Sequence, residues 1–492
     1  MSSDEGLGRT VGRGLAWGAL STVVLRLSSV LLGIVLARLL APQQFGVYAV
    51  ALTVQGILIT VTDLGLSADL VRAREPLRRE PTVATLSLVS GIVLASVMIA
   101  TARPVAQALG SAQATPVIIV LALTIAVAGV GVVPYARMQR AFQQKQLFYT
   151  SAVDFTIGTA VTITLVLLGW GPMALAVGRV VAQPCATALQ FILTRCRPRF
   201  GFDRALAGSA LAYGLPLAGA NFLSMALLNV DNVVVVRLTG ATALGYYVLA
   251  FNVASWPMTA IGQTVRPVAL AAFSRLHRDG VSPGASVAVS IRLIWPVAVA
   301  AAFVLGATSV PLVAVLYGGR WLPAAPVLAA LASFGALRVV FDLFATFLMA
   351  RGATHPVMWI QGIWLVALIP AMIIGARLWG LAGAGWAHVV VGVVVVLPAY
   401  LLACQRAGSP AVGVLRAMAL PVLGVIPAYL AAWAVMKGIE SQVGSLVLGA
   451  LTGAIVYSAV MGQWLMAARR GARGLGADAD PGLPIIETEA IS

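Results

Sequence analysis

The stretch VVRLTGATALGYYVLA (Val235–Ala250) repeats the pattern of LARLLAPQQFGVYAVA (Leu36–Ala51), 199 residues upstream. Arg38 falls on Arg237, Gly46 on Gly245 and Tyr48 on Tyr247, without a gap. The register continues into the next segment, where Thr53, Gly56, Thr60 and Ser67 match Asn252, Ser255, Thr259 and Arg266. A spacing kept this far reads as a duplication, with the two halves related as parallel repeats. The three echoed residues suit an outer turn between two helices. Arginine ends a helix favourably at the dipole, glycine allows a tight turn, and tyrosine sits well at a membrane interface.

Composition says what kind of helices these are. At 60% hydrophobic and 10% charged over 492 residues, the chain has too few charges to cover a soluble globule. Apolar runs of about 20 residues recur from end to end, each long enough to cross a hydrocarbon core of roughly 30 Å. About fourteen spans are expected, bounded by charge or by Gly/Pro clusters. The fold class is thus an all-α membrane protein. Helices 1–6 form one lobe (1–205) and helices 7–12 a second (206–405). Two further helices follow (406–470), then a Gly/Pro-rich, acidic tail (471–492) expected to be disordered.

The net charge of +16 raises nucleic acid as a partner, but its distribution argues for topology. With the N-terminus inside, most arginines lie in cytoplasmic loops, and only Arg38, Arg103, Arg237, Arg320, Arg377 and Lys437 fall outside. An even number of spans then puts both termini in the cytoplasm. MSSDEGLGRTVGRG at the start is polar and reads as no cleavable signal peptide. Cys185, Cys196 and Cys404 lack metal or disulfide spacing and are expected to pack.

Polar side chains inside the spans fall on stripes. Thr22, Arg26, Ser29 and Gly33 share one face of the first helix, and Thr53, Gly56, Thr60, Asp63 and Ser67 one face of the second. On the seventh, Asn221, Ser224, Asp231 and Asn232 fall within about 100° of one another. On the eighth, Asn252, Ser255, Thr259, Gln263 and Arg266 align. An unsatisfied polar group in hydrocarbon costs several kcal/mol, so such faces look toward protein or water. Four striped helices, two from each lobe, could line one cavity.

Buried charges need a reason as well, at roughly 2.5 kcal/mol or more each. Arg26 and Arg266 suit anion binding, because a guanidinium stays charged and grips phosphate oxygens bidentately. Asn221, Asn252 and Gln263 would supply hydrogen bonds beside them. Asp231 lies deep in its span with no cation within one turn, so it is the candidate for binding a proton or Na⁺. Asp63 is a second acid for that role, with helix capping as the plainer alternative. Arg338 and Asp342, four apart on one helix, read as a structural ion pair. Arg179 could pair with Asp154 or snorkel, and His388 reads as a packed neutral imidazole. No metal cluster, catalytic carboxylate pair, phosphate loop or nucleophile elbow stands out, and the loops are short, so no enzyme is expected.

With these motifs in hand, the chain resembles the polysaccharide-exporter branch of the multidrug/oligosaccharidyl-lipid/polysaccharide flippases. LARLLAPQQFGVYAVA, DLGLSADLVR (Asp63–Arg72) and NVDNVVVVRLTGATALGYYVLA (Asn229–Ala250) carry the likeness. The resemblance implies a polyprenyl-pyrophosphate-linked oligosaccharide as substrate, flipped outward across a bacterial inner membrane by alternating access. It implies Na⁺ or proton coupling and no other cofactor. A polysaccharide polymerase and glycosyltransferases are the protein partners it suggests, beside membrane lipids, and nucleic acid is not one. In related lipid II flippases, first- and eighth-helix arginines line the cavity and a seventh-helix Asp joins an ion site; Arg26, Arg266 and Asp231 hold comparable places. The last two spans depart from the common twelve-span pattern. A lipid II flippase, a drug/cation antiporter, a polytopic polysaccharide polymerase and a non-transporting scaffold are the competing readings.

Overall fold

Prolines start many of the helices and glycines break them. The structure, a computed structural model, describes residues 24–278 and 283–477, apart from side chains at 227, 260, 262–278, 283–286, 354, 463–465 and 467–477. Helix α1 (24–39) stops before Ala41–Pro42, and α2 (Pro42–Thr62) begins on that proline, whose missing N–H is no loss in a first turn. A short α3 (Leu66–Arg72) precedes α4 (Pro76–Ala108), α5 (Thr115–Arg140), α6 (Gln144–Leu167) and α7 (Pro172–Thr194). The long α8 (Arg204–Arg278) is two helices joined at Gly240, whose φ of 84° is outside the helical range and open mainly to glycine.

Then come α9 (Pro283–Ala307), α10 (Ser309–Tyr317), α11 (Ala325–Ala350) and α12 (Thr354–Val391). A π-turn (Gly392–Val396) leads into α13 (Leu397–Arg406), followed by α14 (Ala411–Leu423), α15 (Val425–Lys437) and α16 (Gln442–Ala477). Among the described residues there is no strand, and 12 helical stretches are long and apolar enough to cross a membrane. One of these, His355–Arg406, folds back at Gly380, where Gly375 and Gly383 lie against each other, so it makes two passes. With α1 as a further pass, this is the expected fourteen-span, all-α membrane protein. The final helix runs to Ala477; the rest of the expected tail, 478–492, lies outside the described residues.

The repeat is visible in helix ends. α4 and α9 stop at Ala108 and Ala307, the same 199-residue offset as the opening echo. Beyond them the offset becomes 210: α5 and α11 end at Arg140 and Ala350, and α6 and α12 begin at Gln144 and Thr354. The insertion in the second repeat is α10 with its flanking residues; the 3₁₀ turn after it (Gly319–Ala324) has a counterpart in the first repeat at Ala112–Ala114, the two ending 210 apart.

By contacts the chain divides into two compact units, Met1–Val248 and Leu249–Ser492; the lobe division at 205/206 is a division by sequence. In the first unit, helices close on small residues. A Cβ on Gly129 would stand 2.3 Å from the Ser87 carbonyl, and Gly178 packs on Gly158 and Thr162. Such close approach is how helices gain dispersion contact where lipid offers no hydrophobic drive. The outward face of α4 stays apolar, with Val89, Ile92, Val93 and Val97 uncovered by protein.

The second unit has an aromatic core. Trp295, Phe341, Phe344 and Tyr400 are buried, and the Phe341 and Tyr400 rings stack at 5.7 Å. His388 is buried with its ring centre 4.8 Å from that of Phe334. The two C-terminal spans belong to this core. Trp295 Nε1 donates to the Met418 carbonyl at 2.9 Å, and Phe303 presses on Gly453.

Candidate functional site

The repeated stretch does more than turn the chain. A Cβ on Gly46 would meet the Ala241 carbonyl oxygen at 1.7 Å and the Gly245 nitrogen at 3.1 Å. One on Gly245 would meet the Pro42 carbonyl oxygen at 2.3 Å and the Gly46 nitrogen at 3.1 Å. Pro42 and Ala241 are themselves 199 apart, so the contact is reciprocal: α2 and the second arm of α8 cross about a local twofold axis, with one glycine from each repeat on it. The glycines are there for close approach, a different reason from the tight turn expected.

The echoed tyrosines also differ from expectation. Both are buried, Tyr48 at 8% exposure and Tyr247 at 0%, where an interface position would leave the ring half open. Their hydroxyls reach intramembrane charges: Tyr247 donates to Asp231 at 3.1 Å, and Tyr48 lies against the Arg179 guanidinium. Asp231 accepts in addition from the backbone N–H of Asn232 at 2.8 Å. The Asn232 amide reaches across to Thr53 Oγ1 on α2 at 3.3 Å, joining two of the expected stripes. Arg237 donates to the carbonyl of Ala108, the last residue of α4, and so serves a neighbouring helix end.

Other expected residues are placed as follows. Arg26 and Asn221 are exposed in the first unit, and Asn252 in the second. The side chains of Gln263 and Arg266 lie outside the described residues. Asp63 takes the Ser67 N–H at 2.9 Å and the Ser67 hydroxyl, tying the turn from α2 to α3. On α11, Arg338 is half-buried with its guanidinium 5.9 Å from the centre of the Phe334 ring, and Asp342 is exposed.

A charged end centred on Asp69 lies outside the polar stripes that the sequence shows. The Asp69 carboxylate is 1% exposed and pairs with Arg79 at 2.7 Å and Arg72 at 3.3 Å. Glu80 accepts from two guanidinium nitrogens of Arg137, Nε and Nη2. Arg140 donates to the carbonyls of Leu70, Val71 and Ala73, satisfying groups that the end of α3 leaves free. Arg72 also lies 3.5 Å from the centre of the Tyr213 ring.

Between α2, α5, α6 and α7 the first unit holds a polar cleft of about 590 Å³. Asp63, Tyr135, Asp154, Arg179, Gln183 and Gln190 are among its lining residues. Asp154 and Arg179 feel each other's charge, but among the described residues no ion pair within 4.0 Å joins them. The signal that finds this cleft is a stripe: Arg179, Gln183, Thr187 and Gln190 step by four, four and three along α7.

Among solved structures, the lipid II flippase MurJ in an inward closed conformation superposes with a TM-score of 0.70 at 14% identity, covering 91% of this chain and 99% of that one. At that identity the likeness establishes the fold. Succinoglycan biosynthesis transport protein ExoT of Rhizobium meliloti (strain 1021) is 28% identical over 372 residues, 75% of each chain. Lipopolysaccharide biosynthesis protein WzxC of Escherichia coli (strain K12) is 25% identical over 401 residues, 79% of this chain and 80% of that one. Residues 35–326, more than half of the chain and including both copies of the opening stretch, match the model of one family, polysaccharide biosynthesis protein, and the chain belongs to that family.

Proposed function

We propose that this protein is a flippase. It carries polyprenyl-pyrophosphate-linked oligosaccharide repeat units from the cytoplasmic to the outer face of a bacterial plasma membrane, with both its termini in the cytoplasm. The family match over residues 35–326 is the observation that carries this reading. The fold, built from two repeats, suits alternating access, in which one central site is opened to each side in turn. The protein's work is binding and reorientation, with no bond made or broken.

The parts divide by charge. Arg26 and Arg266 grip the pyrophosphate, with Asn221, Asn252 and Gln263 donating beside them. A lipid pyrophosphate carries about two negative charges, and moving each across 100 mV involves about 2.3 kcal/mol, so a coupled cation matters. Asp231 is the coupling acid. While ionised it accepts from the Tyr247 hydroxyl, two residues from the Gly245 crossing. Binding a proton or Na⁺ changes that acceptor and weakens the tie holding the second arm of α8 to the first. The prenyl tail stays in lipid.

Proteoliposomes containing the purified protein and a lipid-linked oligosaccharide test the reading directly. Flipping that depends on an ion gradient and falls on charge reversal of Arg26 and Arg266 is expected. Flipping that survives both reversals overturns the anion site, and none under any gradient overturns the function. A drug/cation antiporter would instead keep its activity in both arginine variants.

A further inference from the structure

We infer that the cleft between α2, α5, α6 and α7 is a carbohydrate subsite, holding sugar of the lipid-linked substrate while the arginines grip its pyrophosphate. The inference rests on the flippase reading and specifies which part of the substrate the first unit recognises. Its volume of about 590 Å³ lies within the ~300–1,000 Å³ of small-molecule pockets and leaves room for more than one sugar ring.

The chemistry of the lining chooses the ligand. Asp63 and Asp154 face a single cation, Arg179, so the cleft carries net negative formal charge and repels a pyrophosphate. What it offers is a mixture of fixed acceptors and donors at the depth of the spans: carboxylates, the amides of Gln183 and Gln190, and the hydroxyls of Thr150, Ser151 and Thr187. A ligand dense in hydroxyls, each both donor and acceptor, satisfies such a set. Tyr135, 40% exposed, adds an aromatic ring on which a sugar's C–H face can pack.

One buried atom points to a missing partner. Gln190 Oε1 is buried with no hydrogen bond, an arrangement that costs free energy until a donor arrives. Gly131 keeps this wall open, since a Cβ there would stand 3.3 Å from the same Gln190 oxygen.

The test compares two probes on the full-length protein in nanodiscs: the host's polyprenyl pyrophosphate bearing its sugar repeat unit, and polyprenyl pyrophosphate without sugar. Wild-type protein is expected to bind the glycosylated lipid more tightly. The double variant Asp154→Asn with Gln183→Leu is expected to lose about tenfold for the glycosylated lipid and nothing for the bare one. Gln183→Leu alone, at a half-buried position, gives a smaller loss of the same kind and serves if the double variant folds poorly. Equal losses for both lipids, or no loss for either, overturn the subsite. Wild-type protein that binds the bare lipid and gains nothing from the sugar overturns the subsite and leaves the flippase intact, whereas binding of neither lipid overturns both.

Discussion

Adding one methyl group at Gly46 tests the crossing of α2 and α8. The new Cβ would stand 1.7 Å from the Ala241 carbonyl oxygen and 2.6 Å from its carbon, where ordinary contact begins at 3.4 Å. Both atoms are backbone, so no side chain can swing aside, and the helices must separate by more than an ångström. Overpacking of this kind costs about 1–3 kcal/mol. Set against a two-state opening of the crossing, that is roughly a 5–150-fold rise in the open population. Gly245→Ala should act in the same direction but less, because its Cβ would meet the Pro42 oxygen at 2.3 Å. Gly56→Ala, with nothing within 4 Å, should be neutral or slightly stabilising through helix propensity.

The assay is labelling of a single cysteine at Leu244, which is 0% exposed, by an impermeant maleimide in a background lacking Cys185, Cys196 and Cys404. Labelling should rise in the order Gly56→Ala, Gly245→Ala, Gly46→Ala. A Gly46→Ala protein that labels and transports like its parent would refute the crossing as a closed contact.

Three further outcomes are expected. Asp69→Ala removes the buried acid and leaves Arg79 and Arg72, 26% and 54% exposed, to water; loss of the charged hydrogen bonds should cost about 1.5–3 kcal/mol, read as a lower yield of folded protein after detergent extraction. Trp295→Phe removes the indole donor that ties α9 to the Met418 carbonyl of α14; loss of that hydrogen bond, about 0.5–1.5 kcal/mol, should appear as a lower melting temperature. Burial raises the Cys196 thiol pKa, so less thiolate is present near neutrality; alkylation should be slower than for a free cysteine there and approach it only as the pH rises past the ordinary thiol range.

Hydropathy and register carried much of this fold, and side-chain partners carried little of it. Span number follows from bilayer thickness, and the offset of 199 correctly paired helix ends as far apart as Ala108 and Ala307. That offset states which residues correspond and is silent on which ones touch. Gly46 and Gly245 correspond and touch; Thr53 corresponds to Asn252 but bonds Asn232. Tyr48 and Tyr247 look interfacial because each sits near the start of its helix, and only the packed structure shows Arg179 and Asp231 as their partners. Asp69 and Arg72, three apart, are legible as a helical pair; Arg79, on the next helix across a turn, is the partner that spacing does not give. The stripe on α7 was legible by the periodicity applied to four other helices.

The reciprocal glycine contact bears on how such a chain can arise. A half-length protein dimerising about the same axis would meet its own copy at this position, so a single residue would answer for both sides of the seam. Any side chain there would clash twice at once, while the carbonyls it faces belong to backbone and leave their residues free. After fusion the halves can drift independently, as Pro42 and Ala241 already have, yet the two glycines must each persist.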